Sequence, residues 1–306
     1  MIYDYIAIIL NYNSSDIIEV AIDSIRKNAC GSYMICVVDN NSTQKHEKEK
    51  LLSLKANDVE VLLLNKNSGY GSGNNKAVNY MNSMYETKYY VIMNPDIELI
   101  GRGTIEGIIN SCEKDKAVGG QPLVWNYYYG NDPRTQINIG KVAKYWDLCI
   151  QSNLVLRIIF KKRFNNLMYI NEMPYETHIE YQMPSGAFFI LRKDVYNEIE
   201  GFDETTFLYG EETILAYKLK QKKYHLLFCP EYRVKHLQGA TTGYDRYSWG
   251  GKRLQYLKQS RNIYAKKYLK CNKFQIWFLD LLLDVDSLIR RFYSILRQKR
   301  KKIDND

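Results

Sequence analysis

Asp96 closes an apolar run, YYVIMNPDIELI (residues 89–100), directly after Asn94 and Pro95. Proline has no N–H to give a sheet ladder, so Pro95 ends the pairing and aims Asp96 out of the sheet. A carboxylate held there suits a hard divalent cation, which takes one or two carboxylates together with phosphate oxygens and water. As a bare tripeptide, Asn-Pro-Asp is also a good turn initiator. Glu211 and Glu212 open a helix after the aromatic stretch FLYG. Desolvation and a like-charged neighbour raise such a carboxylate toward the range useful to a general base, although an acidic first turn also compensates a helix dipole. His236, one of four histidines, ends a short strand, where an imidazole could complete a metal shell or serve structure alone.

Strands and helices must bring these groups together. YIAIILNYN, YMICVV, VEVLLLN and KYYVIM read as buried strands separated by helical segments, SSDIIEVAIDSIRKNA, KHEKEKLLSL and AVNYMNSMYE. The alternation of near-continuous apolar strands with helices predicts an α/β fold, a mostly parallel sheet flanked by helices. Ligands of such sheets sit at the carboxyl ends of the strands. Here those ends are Asn11 to Asn13, Asp39 to Ser42, Asn65 to Asn75 and Asn94 to Asp96. Asp39 leaves the core at this rim, able to accept hydrogen bonds from a base or ribose, or to close an Asx-turn. The glycines at 69, 71 and 73 allow a ligand phosphate close approach before a helix, or make a tight turn. From Trp125 to about His178 the pattern loosens into an aromatic and basic insertion over the rim. It resumes at QMPSGAFFILRKDVYNEI and HLLFCPEYRVKHLQGATT, and the tail after Ser248 reads as helical.

The chain has 306 residues and a net charge of +9, which favours an anionic partner. Its 27 tyrosines offer rings that stack on sugars, bases or lipid headgroups. Six scattered cysteines without C-x-x-C spacing suggest neither a zinc site nor a disulfide framework, and fit a reducing cytoplasm. The N-terminus reads as a first strand, not a signal peptide, and no run is long enough to span a membrane. The tail DLLLDVDSLIRRFYSILRQKRKK (280–302), with seven basic residues and no acidic one from Arg290 to Lys302, mixes apolar and basic residues, which suits an interfacial helix on an anionic membrane or a helix packed on the domain with a solvated end.

Four blocks, IILNYNSSD, VVDNNST, NKNSGYGSGNNKA through VIMNPDIEL, and PSGAFFILRKDVYNEIEGFDETTFLYGEETILAYKL with its trailing VKHLQGATT, resemble the family 2 glycosyltransferases of the GT-A fold. The likeness is greatest to bacterial enzymes of surface-polysaccharide assembly, including rhamnosyltransferases. The resemblance implies an inverting transferase that moves a sugar from dTDP-rhamnose or a UDP-sugar to a hydroxyl of a growing, lipid-linked polysaccharide. It implies that Asp39 contacts the nucleotide, helped by Asn11, Asn13 and Asn41. The loop residues Asn67, Gly69, Gly73, Asn74 and Asn75 would assist, and so would Asn94, which stands where the family's first Asp-x-Asp aspartate would be. Asp96 and His236 would hold magnesium or manganese. Glu212 falls at the family's catalytic base, with Glu211 beside it. The domains so implied are a nucleotide-sugar half over 1–122, an acceptor-binding and catalytic half over 123–245, and a helical basic C-terminal extension over 246–306.

The partners then expected are the donor, a lipid-linked oligosaccharide and the anionic inner membrane surface, with a homodimer left open and no nucleic acid. The protein would be cytoplasmic and peripheral to that membrane, in service of a polysaccharide such as a capsule. A nicotinamide-dependent oxidoreductase is a rival, but G-x-G-x-x-G would need a glycine where Asn74 or Lys76 stands. A non-catalytic RNA- or glycan-binding protein is another, though no RNP motif or zinc finger occurs.

Overall fold

A computed structural model describes residues 2–126, 139–168, 178–237 and 251–303. Most of the expected WNYYYGNDPRTQ stretch and the trailing QGATT lie outside them. The chain opens β1 (Ile2–Asn11), α1 (Ser15–Asn28), β2 (Tyr33–Asp39), α2 (Glu47–Ser53), β3 (Val59–Leu63), α3 (Tyr70–Asn82), β4 (Glu86–Met93), β5 (Ile97–Leu99) and α4 (Thr104–Lys114). It continues through β6 (Gly119–Asn126), α5 (Tyr145–Ser152), α6 (Leu154–Ile159), α7 (Lys161–Leu167), β7 (Ile179–Tyr181), β8 (Phe188–Arg192), α8 (Lys193–Glu198), α9 (Glu211–Gln221) and β9 (Leu226–His236). α10 (Gly251–Ile263), a π-helical turn (Tyr264–Tyr268) and α11 (Lys273–Ile303) complete it.

One sheet of nine strands runs β3-β2-β1-β4-β8-β6-β9-β5, with β7 also on β9. β1 to β4, β6 and β9 point one way; β5, β7 and β8 oppose them. The sheet is therefore mixed but mostly parallel, as the sequence predicts. Tyr5 to Ile9 and Ile35 to Val38 are fully buried, which requires helices on both faces. Ile18, Ile22 and Ile25 of α1, Leu51 of α2 and Ile105 and Ile108 of α4 cover one face. Ala77, Val78 and Met81 of α3, Val195 of α8 and Leu215 and Leu219 of α9 cover the other.

The antiparallel insertion of β8 between β4 and β6 pairs Met93 with Phe188, bringing the PSGAFF segment beside Asn94-Pro95-Asp96. The β6–β9 register breaks between Pro122 and Leu123, whose partners jump from Cys229 to Arg233 across Pro230. Two prolines without donors explain the break.

Two expectations are corrected. The helix expected from Ala77 begins at Tyr70, so Gly71, Gly73, Asn74 and Asn75 belong to its first turns and not to a loop. Gly69 has φ +99°, and a Cβ there would stand 2.4 Å from the Phe207 carbonyl oxygen. Without side chains at 69 and 71, the helix packs directly on the loop at 202–207, and its close packing ends the need for a flexible turn. The loosened stretch after Trp125, in its described part, is the helical group α5 to α7. These helices form a third core with α9 and the C-terminal helices through Leu148, Cys149, Ile214, Tyr264 and Leu279. Tyr264 donates to the Ala143 carbonyl at 2.8 Å and Tyr145 to that of Gln275 at 3.0 Å. Asp203 accepts hydrogen bonds from Lys267 Nζ at 2.7 Å and from the Tyr268 hydroxyl, clamping the π-turn to the GFDETTF loop. All six cysteines are free thiols.

Candidate active site

The rim at the ends of β1 and β2 is a polar network built by the chain for itself. Asn11 Nδ2 reaches Asp39 Oδ1 at 3.2 Å, Ser42 Oγ at 3.2 Å and Glu47 Oε2 at 3.1 Å. Asp39 is fully buried and accepts from the Ser42 backbone N–H and, at 2.5 Å, from its hydroxyl. This is the Asx-turn arrangement. Asn13 and Asn41 hold the two strand exits in left-handed conformation, at φ 55° and 59°. Asn13 Oδ1 accepts from the Thr43 and Gln44 N–H groups, which ties the exits together. Glu47, which the sequence did not single out, also accepts from Ser15 at the start of α1.

Across the rim, Asn67 Oδ1 accepts from Gly69 N–H at 3.0 Å. Gly73 packs so closely on β1 that a Cβ would come 2.6 Å from Leu10 Cδ1. Asn75 donates to the Phe202 carbonyl and Glu204, and accepts from Tyr196 and the Phe202 N–H. Those four bonds exhaust its side-chain amide, so it pins α3 to the 202–204 loop and has nothing left for a ligand. The buried amide oxygens of Asn11, Asn40 and Asn74 accept no hydrogen bond, leaving acceptors at the same rim. Asn40 had no signal of its own in the sequence beyond its place in the DNNST run.

Asp96 follows β4 as expected. It is 1 % exposed, and neither carboxylate oxygen has a hydrogen-bond donor. His236 faces it across the β5–β9 ladder, where Ile97 pairs with His236, and Nε2 lies 3.3 Å from Asp96 Oδ1. A buried carboxylate without donors beside an imidazole fits a divalent cation: the two supply oxygen and nitrogen ligands and leave the remaining positions to phosphate oxygens and water. Among the described residues, the grouping of three metal-capable side chains is a different one, His178, Cys229 and Glu231, midway along β9. There His178 bridges Glu231 at 2.5 Å and Asp115 at 3.3 Å as an ion triad.

The acid pair starts α9, behind Gly210 at φ 94°. Glu211 is buried, and one of its oxygens has no partner. Burial, and then the charge of Glu212, push its carboxyl well above the usual range; burial pushes Glu212 upward too. One added proton relieves both, since two such close carboxylates resist ionising together. Glu212 passes Gly186 so closely that a Cβ on that glycine would stand 2.0 Å from Oε1.

Gly186 sits in a turn that links the two halves of the site. The Ala187 carbonyl accepts from Asn94 N–H at 2.9 Å, and the Gly186 carbonyl accepts from the Tyr70 hydroxyl at 2.7 Å. Buried Gln121 holds the Ser185 N–H at 2.7 Å. Burial and the charges of Glu212 and Glu211 raise Tyr70, whose hydroxyl bonds the Gly186 turn against which Glu212 packs. Thus Ser185 to Ala187 carries the Asn94-Pro95-Asp96 turn on one side and Glu212 on the other. Sequence reasoning gave Gly186 no role, although a glycine at the mouth of an apolar strand is a signal of close approach.

The chain is 21 % identical over 221 residues to the N-acetylglucosaminyl-diphospho-decaprenol L-rhamnosyltransferase of Mycobacterium tuberculosis (strain CDC 1551 / Oshkosh), covering 69 % of this chain and 68 % of that protein. In structure it resembles GalNAc-T7 crystallised with UDP, GalNAc and Mn2+, at TM-score 0.57 and 17 % identity over 93 % of this chain and 55 % of that one. It also resembles the mannosyltransferase PcManGT from Pyrobaculum calidifontis in complex with GDP-Man and Mn2+, at TM-score 0.55 and 12 % identity, covering 97 % and 76 % of the two chains. A third likeness is to S. aureus TarS 1–349, at TM-score 0.51 and 16 % identity, covering 91 % and 79 %. The fold is therefore GT-A. The family model described as glycosyl transferase family 2 matches residues 6–200, which takes in the rim, Asp96 and the Gly186 turn and stops before the acid pair and His236. With a match over more than half its length and the fold to go with it, the chain belongs to glycosyl transferase family 2.

Proposed function

We propose that this glycosyltransferase moves a sugar, with inversion, from a nucleoside-diphosphate sugar, dTDP-rhamnose or a UDP-sugar, to a hydroxyl of a lipid-linked oligosaccharide. The observation that carries the reading is the turn at 185–187, which joins a donor-less buried carboxylate, Asp96, to a carboxylate of raised affinity for protons, Glu212. Asp96 and His236 are the residues to hold magnesium or manganese. Such a cation, when bound, neutralises charge on the leaving diphosphate. The acceptor amides of Asn11, Asn40 and Asn74, framed by Asn13, Asn41, Asn67 and Asn94, face the nucleoside. Asp39 contacts the base or ribose at that rim, and Asn75 supports it from beneath.

Glu212 takes the proton from the acceptor hydroxyl. That oxygen attacks the anomeric carbon opposite the diphosphate, so one displacement inverts the configuration. Burial raises the basicity of Glu212, and Tyr70 holds the Gly186 turn against which it packs. The decaprenol-linked name of the mycobacterial relative supports a lipid-linked acceptor, met on the cytoplasmic side of the membrane during assembly of a surface polysaccharide such as a capsule. A screen of nucleotide-sugars for donor hydrolysis, with and without manganese, tests the reading. One donor turned over only with metal is the expected result, and turnover of none would overturn it.

A further inference from the structure

α11 is apolar on two opposite sides. Leu279, Leu283 and Asp286 are buried against the molecule. Phe274, Trp277, Leu281, Val285, Leu288 and Phe292 occupy the outward side, where a surface helix ordinarily carries charge, and Phe274 is 69 % exposed. The outward positions recur at both seven residues (274, 281 and 288; 285 and 292) and eleven (274 and 285; 277 and 288; 281 and 292), which keeps them in one apolar stripe along the helix.

A second apolar corner stands on the same body. Val155, Ile158, Ile159 and Phe160 are exposed at α6, Ile158 by 67 %, and the exposed Lys161, Lys162 and Arg163 follow at once. Asn153 Nδ2 donates to the Leu282 carbonyl at 3.3 Å and Leu154 N–H to Asp286 Oδ1 at 2.6 Å, which fixes α6 to the middle of α11. So much apolar surface beside cations marks an interaction site.

We infer that the α6–α7 corner and the outward side of α11 seat the protein on an anionic lipid bilayer. Charge decides between this partner and a second copy of the chain. Two molecules at +9 each, meeting through faces flanked by Lys161, Lys162 and Arg291, repel one another, while the same faces are drawn to anionic headgroups. Among the described residues no helix is long and apolar enough to cross a membrane, so α11 lies along the interface with its aromatic residues at headgroup level. The seat begins at Phe274, before the stretch from Asp280 that sequence alone assigns to it, and includes α6. The inference rests on the proposed lipid-linked acceptor for its purpose, naming the surface that brings the enzyme to it.

The test is co-flotation of the full chain with vesicles of phosphatidylglycerol and phosphatidylcholine, or of phosphatidylcholine alone. The wild type, Ile158→Asp with Ile159→Asp, and Trp277→Asp with Leu281→Asp are compared, and serine at the same positions serves where aspartate impairs folding. Flotation with the anionic vesicles only, weakened at least about tenfold in both double variants at unchanged melting temperature, is the expected result. Equal flotation of wild type and variants, no flotation of the wild type, or a wild-type dimer that Trp277→Asp with Leu281→Asp makes monomeric would each overturn it. Donor hydrolysis without vesicles reads the active site alone, so failure of the seat and failure of the transferase reading are separable.

Discussion

Glu212 and Gly186 show how one missing side chain sets the position of a buried carboxylate. Glu212→Gln keeps shape and loses basicity, so transfer is expected to fall by about 10²- to 10⁴-fold while calorimetric binding of the nucleoside diphosphate stays as in the wild type. Gly186→Ala places a methyl group 2.0 Å from Oε1 and must displace the carboxylate. Steady-state assay is expected to show a loss in kcat of about 10²-fold with a smaller change in the donor KM. The pair's raised proton affinity also has a sign. Between the ordinary carboxylate range and the raised value, the folded protein binds more protons than the unfolded one, so stability falls as pH rises through that interval. Glu211→Gln removes the conflict, and thermal melts are expected to show it gaining roughly 2–4 °C over wild type at alkaline pH and little below the ordinary carboxylate range. Asp96, His236 and the acid doublet were legible because each stands at an element boundary marked in the sequence by Pro95, by the end of a strand or by Gly210. Gly186, Tyr70, Gln121 and Asn40 were not, because their meaning lies in partners far along the chain.

At the scale of elements, the strands were readable because burial on both faces leaves continuous apolar runs. The start of α3 was not. Gly71, Gly73, Asn74 and Asn75 have poor helix propensity, and tertiary packing on the 202–207 loop overrides it. The antiparallel entry of β8 was equally hidden, since a fully buried strand looks the same in either direction. The clamp between the GFDETTF loop and the π-turn is testable by itself. Burial opposes the charge on Asp203, but the hydrogen bonds from Lys267, Thr205 and Tyr268 outweigh it and hold the carboxyl below its usual range. A depressed folded value means stabilisation that is present above the ordinary aspartate range and lost as pH falls through the lower one. Asp203→Asn is expected to cost about 2 kcal/mol in denaturant unfolding at neutral pH, with the gap to wild type closing on strong acidification.

At the scale of the molecule, a sheet of nine strands delivers three separate segments to one place: the β4 exit with Asp96, the end of β9 with His236, and the turn before β8 with Gly186. The C-terminal helices complete the far side through the third core, joined by Ile214 to α9, which carries the acid pair. The chain's order alone places the rim residues first and the acid pair after residue 200, but does not convey this convergence. The claim on which the rest stands is that Asp96 and His236 hold the cation that binds the donor's diphosphate. Titration calorimetry of UDP and dTDP with and without manganese, on wild type and Asp96→Ala, tests it most directly. Metal-dependent binding in the wild type that falls at least about tenfold in Asp96→Ala is the result expected. Equal affinity in the two proteins, or binding indifferent to manganese, would contradict it.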